Sequence, residues 1–340
     1  MNLPFTLTPP ISYTPAHSHF ISTILQHSDG KNWLYDHYIN IYLRINTENQ
    51  LERLETQANY TDLSLSNRNY SPFLFYYFIP RNFIENIIND LKDIINEGYY
   101  IFLWLNHKYI QGSLNYGKKD YLHTALIHGY NDEEFIVSDY FNFKMETKQI
   151  SYNEFIHAFV NVPLMMESPH YHFHQSELAI FKLNGKAHYN FSINLLKCSL
   201  IDYLEGKDTT ARNYNETPWF DLWGSYRVYH GLSSLQYFPE LFLHGLINQR
   251  EAHLLVEWSN LMFLRLDFLI DNLYITKNIS ELKNTINNVN RTCRILEAKV
   301  IKSSITGTIE SNINMIKDLC CQIAKGEENF IKLLLGSINS

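Results

Sequence analysis

The stretch from His123 to Phe141 constrains the fold more than any other part of the chain. An apolar run, HTALIHGY, meets a polar turn, NDEE, and then an alternating run, FIVSDYF. Two such runs joined by a short polar turn predict an antiparallel β-hairpin. Around it, PFLFYYFI (72–79) is bounded by prolines and rich in aromatics, so it reads as a buried strand. YYIFLWL (99–105) reads as a second, and SELAIFKLNG (176–185) as a third, after a loop containing Pro163 and Pro169. Between the first two, Ile84, Ile87, Ile88, Leu91, Ile94 and Ile95 share one face of a helix that Gly98 ends. Ile21, Ile24 and Leu25 follow a Ser-containing entry and predict a short helix starting near Ser18. The first half is therefore mixed α/β around an antiparallel sheet.

From Tyr189 onward strand signals disappear and apolar residues recur every three or four positions. Leu282, Ile286, Val289, Cys293, Leu296 and Val300 follow that spacing, and Ile309, Ile313, Ile316 and Ile323 continue it after Gly307. The expected architecture is α+β: residues 1–185 as a sheet-containing domain and 186–340 as an all-helical one. The heptad-like helix at 282–300 admits homodimerisation, although a helix in a bundle core gives the same periodicity.

Composition narrows the function classes. The chain has 340 residues, 45% of them hydrophobic and 19% charged, which excludes disorder as its main state. Its 28 basic and 35 acidic residues leave a net charge of −7, and no Lys/Arg cluster suited to phosphates occurs, so nucleic acid is not an expected partner. The first residues, MNLPFTLTPPISYTPAHSHF, lack the basic and apolar regions of a signal peptide. The longest apolar runs fall well short of the roughly 20 residues a membrane helix needs. A soluble, cytoplasmic chain outside the membrane is the expectation. Cys198, Cys293, Cys320 and Cys321 read as reduced core residues, not as a disulfide framework or zinc site.

The hairpin also carries the chemistry. A histidine opening its first strand and an aspartate closing its second approach each other if the turn is centred near residue 131, making His123 and Asp139 candidates for a base and the group that orients it. Such a pair suits acyl transfer, in which the carboxylate fixes the imidazole tautomer and the imidazole removes a proton from a nucleophile. A helix start favours a nucleophile, because unpaired backbone N–H groups stabilise a developing anion, and Ser18 occupies one. Ser18 has a plainer reading as an N-cap. His128 is expected to pack or face solvent. The string His170, His172, His174 would share one strand face, yet flanking prolines and the lack of nearby carboxylates argue against a metal, and no metal or bound cofactor is expected. Trp219, Trp223, Tyr226, Tyr229, Tyr237 and Phe238 read as core before they read as a substrate pocket.

YLHTALIHGYNDEEFIVSDYF resembles the His-to-Asp hairpin of papain-like, C39-type peptidase domains, in particular the N-terminal domain of the butirosin biosynthesis protein H family. INEGYYIFLWLNHKYIQ and KQISYNEFIHAF resemble the strand before that hairpin and the helix after the sheet. WGSYRVYHGL and INQREAHLLVEWSNLMFLRLDFLID are similar to the family's helical C-terminal region, so the resemblance covers most of the chain. It implies a papain-like fold for the first domain and an amide-forming (or ester-forming) acyltransferase of specialised-metabolite or antibiotic assembly. The implied donor is a thioester on an acyl or peptidyl carrier protein, whose 4′-phosphopantetheine arm is the only cofactor involved, and the acceptor is a small-molecule amine. The family places a Cys nucleophile at the first helix, commonly after a His. The aligned pair here is His17-Ser18, and no cysteine precedes Cys198. On this alignment Ser18, His123 and Asp139 form the triad, with the Ser18 N–H and Ser12 as oxyanion donors and His17 lining the site. Three readings stand: a working Ser triad, a site in which His123 acts on the amine without a covalent step, and a silent scaffold that binds a carrier protein or synthetase. A thioester or amide hydrolase is the remaining alternative, since hydrolysis and transfer differ only in whether water reaches the acyl group.

Overall fold

The computed structural model describes residues 1–13, 15–46, 54–58, 72–142, 144–162, 176–207, 226–243 and 249–339. In chain order these form α1 (Pro15–Ile24), α2 (Gly30–His37), β1 (Ile41–Asn46), β2 (Leu54–Ala58), β3 (Leu74–Pro80), α3 (Ile87–Asn96) and β4 (Tyr100–Asn106). Then follow β5 (Leu122–Tyr130), β6 (Glu134–Phe141), β7 (Lys144–Ser151), α4 (Tyr152–Val160), β8 (Glu177–Leu183) and α5 (Ile193–Glu205). The chain finishes with β9 (Tyr226–His230), α6 (Leu232–Leu235), α7 (Phe238–Leu243), α8 (Gln249–Asp271), α9 (Ile279–Thr306) and α10 (Ile309–Ser337).

The fold divides into two compact units, one formed by residues 1–31 and 61–189, the other by 32–60 and 190–340. The first unit holds a six-stranded antiparallel sheet in the order β3-β8-β4-β5-β6-β7. Strand β4 lies inside it, and six of its seven residues are buried, as the unbroken run of apolar and aromatic residues requires. Among the described residues β3 pairs only with β8, so it is an edge there, and Phe75 and Tyr77 on one of its faces are exposed; PFLFYYFI is thus half-buried, not buried. Helix α3 starts later than its apolar spacing suggests. Asn86 caps it by accepting from the Asn89 N–H, and Ile84 is extended, with Leu91 and Ile95 facing the core. Gly98, at φ +83°, ends the turn after it.

The hairpin forms with β5 and β6 around Asn131, whose side chain accepts from the N–H groups of Glu133 and Glu134 at 2.9 and 2.8 Å. Its register shifts by one residue between Ile127 and Gly129, a β-bulge that leaves His128 extra on β5. The N-terminal segment bonds to the same end of β5: Leu3 N–H donates to His128 and Tyr130 N–H to Met1. A side chain at Gly129 would meet the Met1 carbonyl oxygen at 2.8 Å, so only glycine fits there.

The second unit is mainly helical. Leu282, Ile286, Val289, Cys293, Leu296 and Val300 are all buried along α9, as their spacing predicts. The unit is not all-helical, however, because β1, β2 and β9 form a three-stranded sheet in the order β2-β1-β9. β9 is only five residues long and its partner β1 is far away in sequence, so periodicity did not distinguish it from its helical surroundings. Residues 32–60 join this unit through buried donors on α8. Arg265 donates to the Tyr35 and Tyr38 carbonyls at 2.5 and 2.7 Å, and the Trp258 indole donates to that of Ile39 at 2.7 Å. Among the four thiols, Cys293 and Cys320 are buried, Cys198 is half-buried and Cys321 is exposed, which corrects the expectation of four core residues. Phe238 is buried and the rings of Tyr229 and Tyr237 meet at 3.9 Å; Trp219 and Trp223 lie outside the described residues, as do Pro163, Pro169 and the His170, His172, His174 string. No helix among the described residues is long and apolar enough to cross a membrane.

Candidate active site

The site begins with the register of the hairpin. Strand β4 sets Leu105 opposite His123, and continuing the Leu126–Ser138 pairing by one residue sets Asp139 level with Ala125. His123 and Asp139 are then diagonal neighbours on one face, within reach of each other. Their side chains meet, with His123 Nδ1 2.5 Å from Asp139 Oδ1. The same oxygen accepts the Tyr140 N–H at 2.6 Å. The other oxygen, Oδ2, lies 2.7 Å from Nε2 of His107, in the one-turn 3₁₀ segment His107–Tyr109 that follows β4. An ionised carboxylate only accepts, so both facing nitrogens carry the proton. His107 Nδ1 in turn lies 3.4 Å from the Ser113 hydroxyl.

Burial and charge set the protonation states. Asp139 is fully buried, which would raise its pKa. The charge on His123 and the bonds from His107 and His123 outweigh that and hold it well below the usual carboxylate range. For His123, burial would lower the imidazole, but the charge and hydrogen bond of Asp139 hold it above the ordinary histidine value. The side chains of His107 and Asp139 are 1% and 0% exposed, whereas that of His123 is 20% exposed. Of the three, His123 is the one that reaches solvent. The ligating atoms of His107, His123 and Asp139 also lie within 4.8 Å of one another, a donor set suited to a divalent transition metal. A metal there would compete with protons for the same nitrogens, both of which are already at hydrogen-bonding distance from the carboxylate.

Helix α1 departs from expectation at its start. It begins at Pro15, a residue pre-set for the first helical position, so Ser18 lies within the first turn and is not the N-cap. Its hydroxyl donates to the Pro15 carbonyl at 2.9 Å, Ser18 is fully buried, and no hydrogen bond joins it to His123 among the described residues. Ser12 contributes its carbonyl, which accepts from the Tyr140 hydroxyl next to Asp139. His17 stacks on Tyr13, with ring centroids 5.4 Å apart, and burial pushes its imidazole down to about 3. His128 packs: it stacks on Phe5 at 4.8 Å and bonds the Ser138 hydroxyl at 3.0 Å.

Two further histidines lie near the site. His107 is one. The other is His19, fully buried between Phe5 and Phe102, with neither ring nitrogen hydrogen-bonded among the described residues. Burial pushes it down to about 3, and the charges of Asp139, His123 and His128 all reach it. The HSH run made it visible, but its sequence neighbour Ser18 drew the chemical reading. Compared with known proteins, the chain matches no family model and no curated protein sequence.

Proposed function

We propose that the first unit is a papain-like acyltransferase in which His123, oriented by Asp139, is the general base that forms an amide from a carrier-bound thioester and an amine. The 2.5 Å contact between His123 Nδ1 and a buried, ionised Asp139 carries this reading. It fixes the tautomer that leaves Nε2 as the basic nitrogen, on the one histidine of the cluster that is part-exposed. As the amine attacks the thioester carbonyl, its proton passes to Nε2 and then to the departing thiolate sulfur. Ser18 is left out of this step, because its hydroxyl is enclosed and bonded to Pro15. Donor and acceptor classes rest on the resemblance of the hairpin and its flanks.

The test is to incubate the protein with a panel of acyl-carrier thioesters and amine acceptors and to follow products and protein adducts by mass spectrometry. Amide formation is expected from the parent and from Ser18→Ala, with no acyl adduct, and its loss in His123→Ala. An adduct on the parent that disappears in Ser18→Ala would replace the direct route with a covalent one through Ser18. Free acid in place of amide would make the protein a hydrolase. Adducts confined to Ser18→Cys, with no product from the parent, would leave a carrier-binding partner without catalysis.

A further inference from the structure

We propose that His107 is a positioning residue for His123, acting through the Asp139 carboxylate that the two histidines share. The inference rests on the reading of His123 as the base, and it extends that reading to a residue that never meets the substrate. The two carboxylate oxygens are held differently. Oδ1 accepts from two donors, His123 Nδ1 at 2.5 Å and the Tyr140 N–H at 2.6 Å, whereas Oδ2 accepts from His107 Nε2 at 2.7 Å. Asp139 is fully buried, so water does not replace a lost donor, and an oxygen left unpaired there makes the ionised carboxylate costly. His107 is itself fixed. It is 1% exposed, stacks on Phe141 with centroids 5.3 Å apart at 20°, and has the Ser113 hydroxyl 3.4 Å from Nδ1. A chain of contacts therefore runs Ser113, His107, Asp139, His123, with only its last member reaching the surface.

The groups that face His123 define what else could move its titration. Asp139 bonds it from β6. Tyr121 stacks on it at 5.8 Å and 10°, Tyr140 approaches edge-on at 6.2 Å, and the His107 ring lies 5.6 Å away. From α1, His19 is electrostatically coupled to it. Asp139 is the only carboxylate among the described groups facing it; its charge and hydrogen bond, with a smaller contribution from a backbone hydrogen bond at Thr124, hold the imidazole above its ordinary value, so that anion must stay pointed at Nδ1.

The experiment uses the 340-residue chain with ¹⁵N-labelled histidines, whose nitrogen shifts report tautomer and titration without any substrate. His123 and His107 are assigned by loss of their signals in His123→Ala and His107→Gln. In the parent, His107 is expected as the Nε2–H tautomer and His123 as Nδ1–H, with His123 titrating above the ordinary value. His107→Phe keeps a ring on Phe141 but removes the donor. With Oδ2 unanchored the carboxylate is free to turn away from Nδ1, so the His123 midpoint is expected to shift from the parent value and the Nε2–H tautomer to grow. His107→Gln supplies an amide donor and is expected to restore much of the parent behaviour. An unchanged midpoint and tautomer in a folded His107→Phe would reduce His107 to packing. Should His107→Phe fail to fold, the parent alone decides: His107 found as the Nδ1–H tautomer cannot donate to Asp139, and the proposal falls. Because none of these readouts is activity, a failure here is distinct from a failure of acyl transfer.

Discussion

Asp139 stands between two imidazoles, and the consequences at the residue scale follow from its being able only to accept. In Asp139→Asn the amide presents either a donor or an acceptor to His123, so Nδ1 is no longer guaranteed its proton and the basic lone pair moves to the wrong side of the ring. By analogy with other carboxylate-oriented histidine bases, turnover should fall by roughly 10⁴ while the protein stays folded. The pH profile gives the matching check. A base works only when neutral, and Asp139 holds His123 above the ordinary histidine value. The acid limb of the rate profile should therefore lie above pH 6.5 in the parent and move to lower pH in Asp139→Asn; an acid limb at or below the ordinary value would dissociate His123 from the rate. His123 and Asp139 were legible because one hairpin joins them, so local turn chemistry alone brings them together. His107 was not, since it reaches Asp139 through the pairing of β4 with β5, a contact between segments whose register no single run of residues announces. Ser18 was misplaced by one turn because Pro15 starts the helix earlier than the apolar spacing implies.

At the scale of elements, the cluster depends on how the segment between β4 and β5 is tied down. Asn106, fully buried at the end of β4, does most of this. Its amide donates to Asp120 Oδ1 and the Asn161 carbonyl, both at 2.9 Å, and its oxygen accepts from the N–H groups of Lys108 and Tyr121, both at 3.2 Å. The His107 N–H closes the base of the loop on the Tyr121 carbonyl at 2.8 Å. Further out, Gln111 N–H donates to Glu154 on α4, and Lys148 on β7 to the Gly112 carbonyl. Asn106→Ala would leave several of these backbone groups unpaired, at a cost of about 2–4 kcal/mol in unfolding free energy. Hydrogen exchange should quicken across residues 107–121 while the β5 and β6 amides stay protected. Uniform acceleration over the whole sheet would mean that Asn106 supports the strand and not the loop. The apolar runs announced β4, β5, β6 and β8 in the sequence because each is long and well bounded. β7 was not read as a strand, since KMETKQIS carries mostly polar residues on its outer face and looks like a loop on hydropathy alone.

At the scale of the whole chain, the second unit draws residues 32–60 away from the sequence segment they belong to. Nothing in their local pattern shows this; the cause is a set of buried donors on α8, more than two hundred residues away, that require carbonyl partners. The same unit holds a buried acid. Glu327 on α10 is fully buried, its Oε2 accepting from the Tyr203 hydroxyl at 2.7 Å and its Oε1 without a partner among the described residues. Tyr203 in turn stacks on Trp258 of α8 at 5.0 Å, so the carboxyl sits where three helices meet. Burial raises its pKa to about 8, against which the Tyr203 bond acts only partly. The folded state then binds a proton that the unfolded chain, with an ordinary glutamate, releases near pH 4.5. Stability should be unaffected by this group below that value and should decline as pH rises from about 4.5 to about 8, where the folded protein is at last forced to ionise it. Glu327→Gln keeps the shape and a neutral acceptor for Tyr203, and it should remove the decline, leaving the variant more stable than the parent by a few kcal/mol at pH 8 and close to it at pH 4.5. Urea unfolding at the two pH values measures the difference. Equal differences at both would show that folding does not raise the Glu327 pKa.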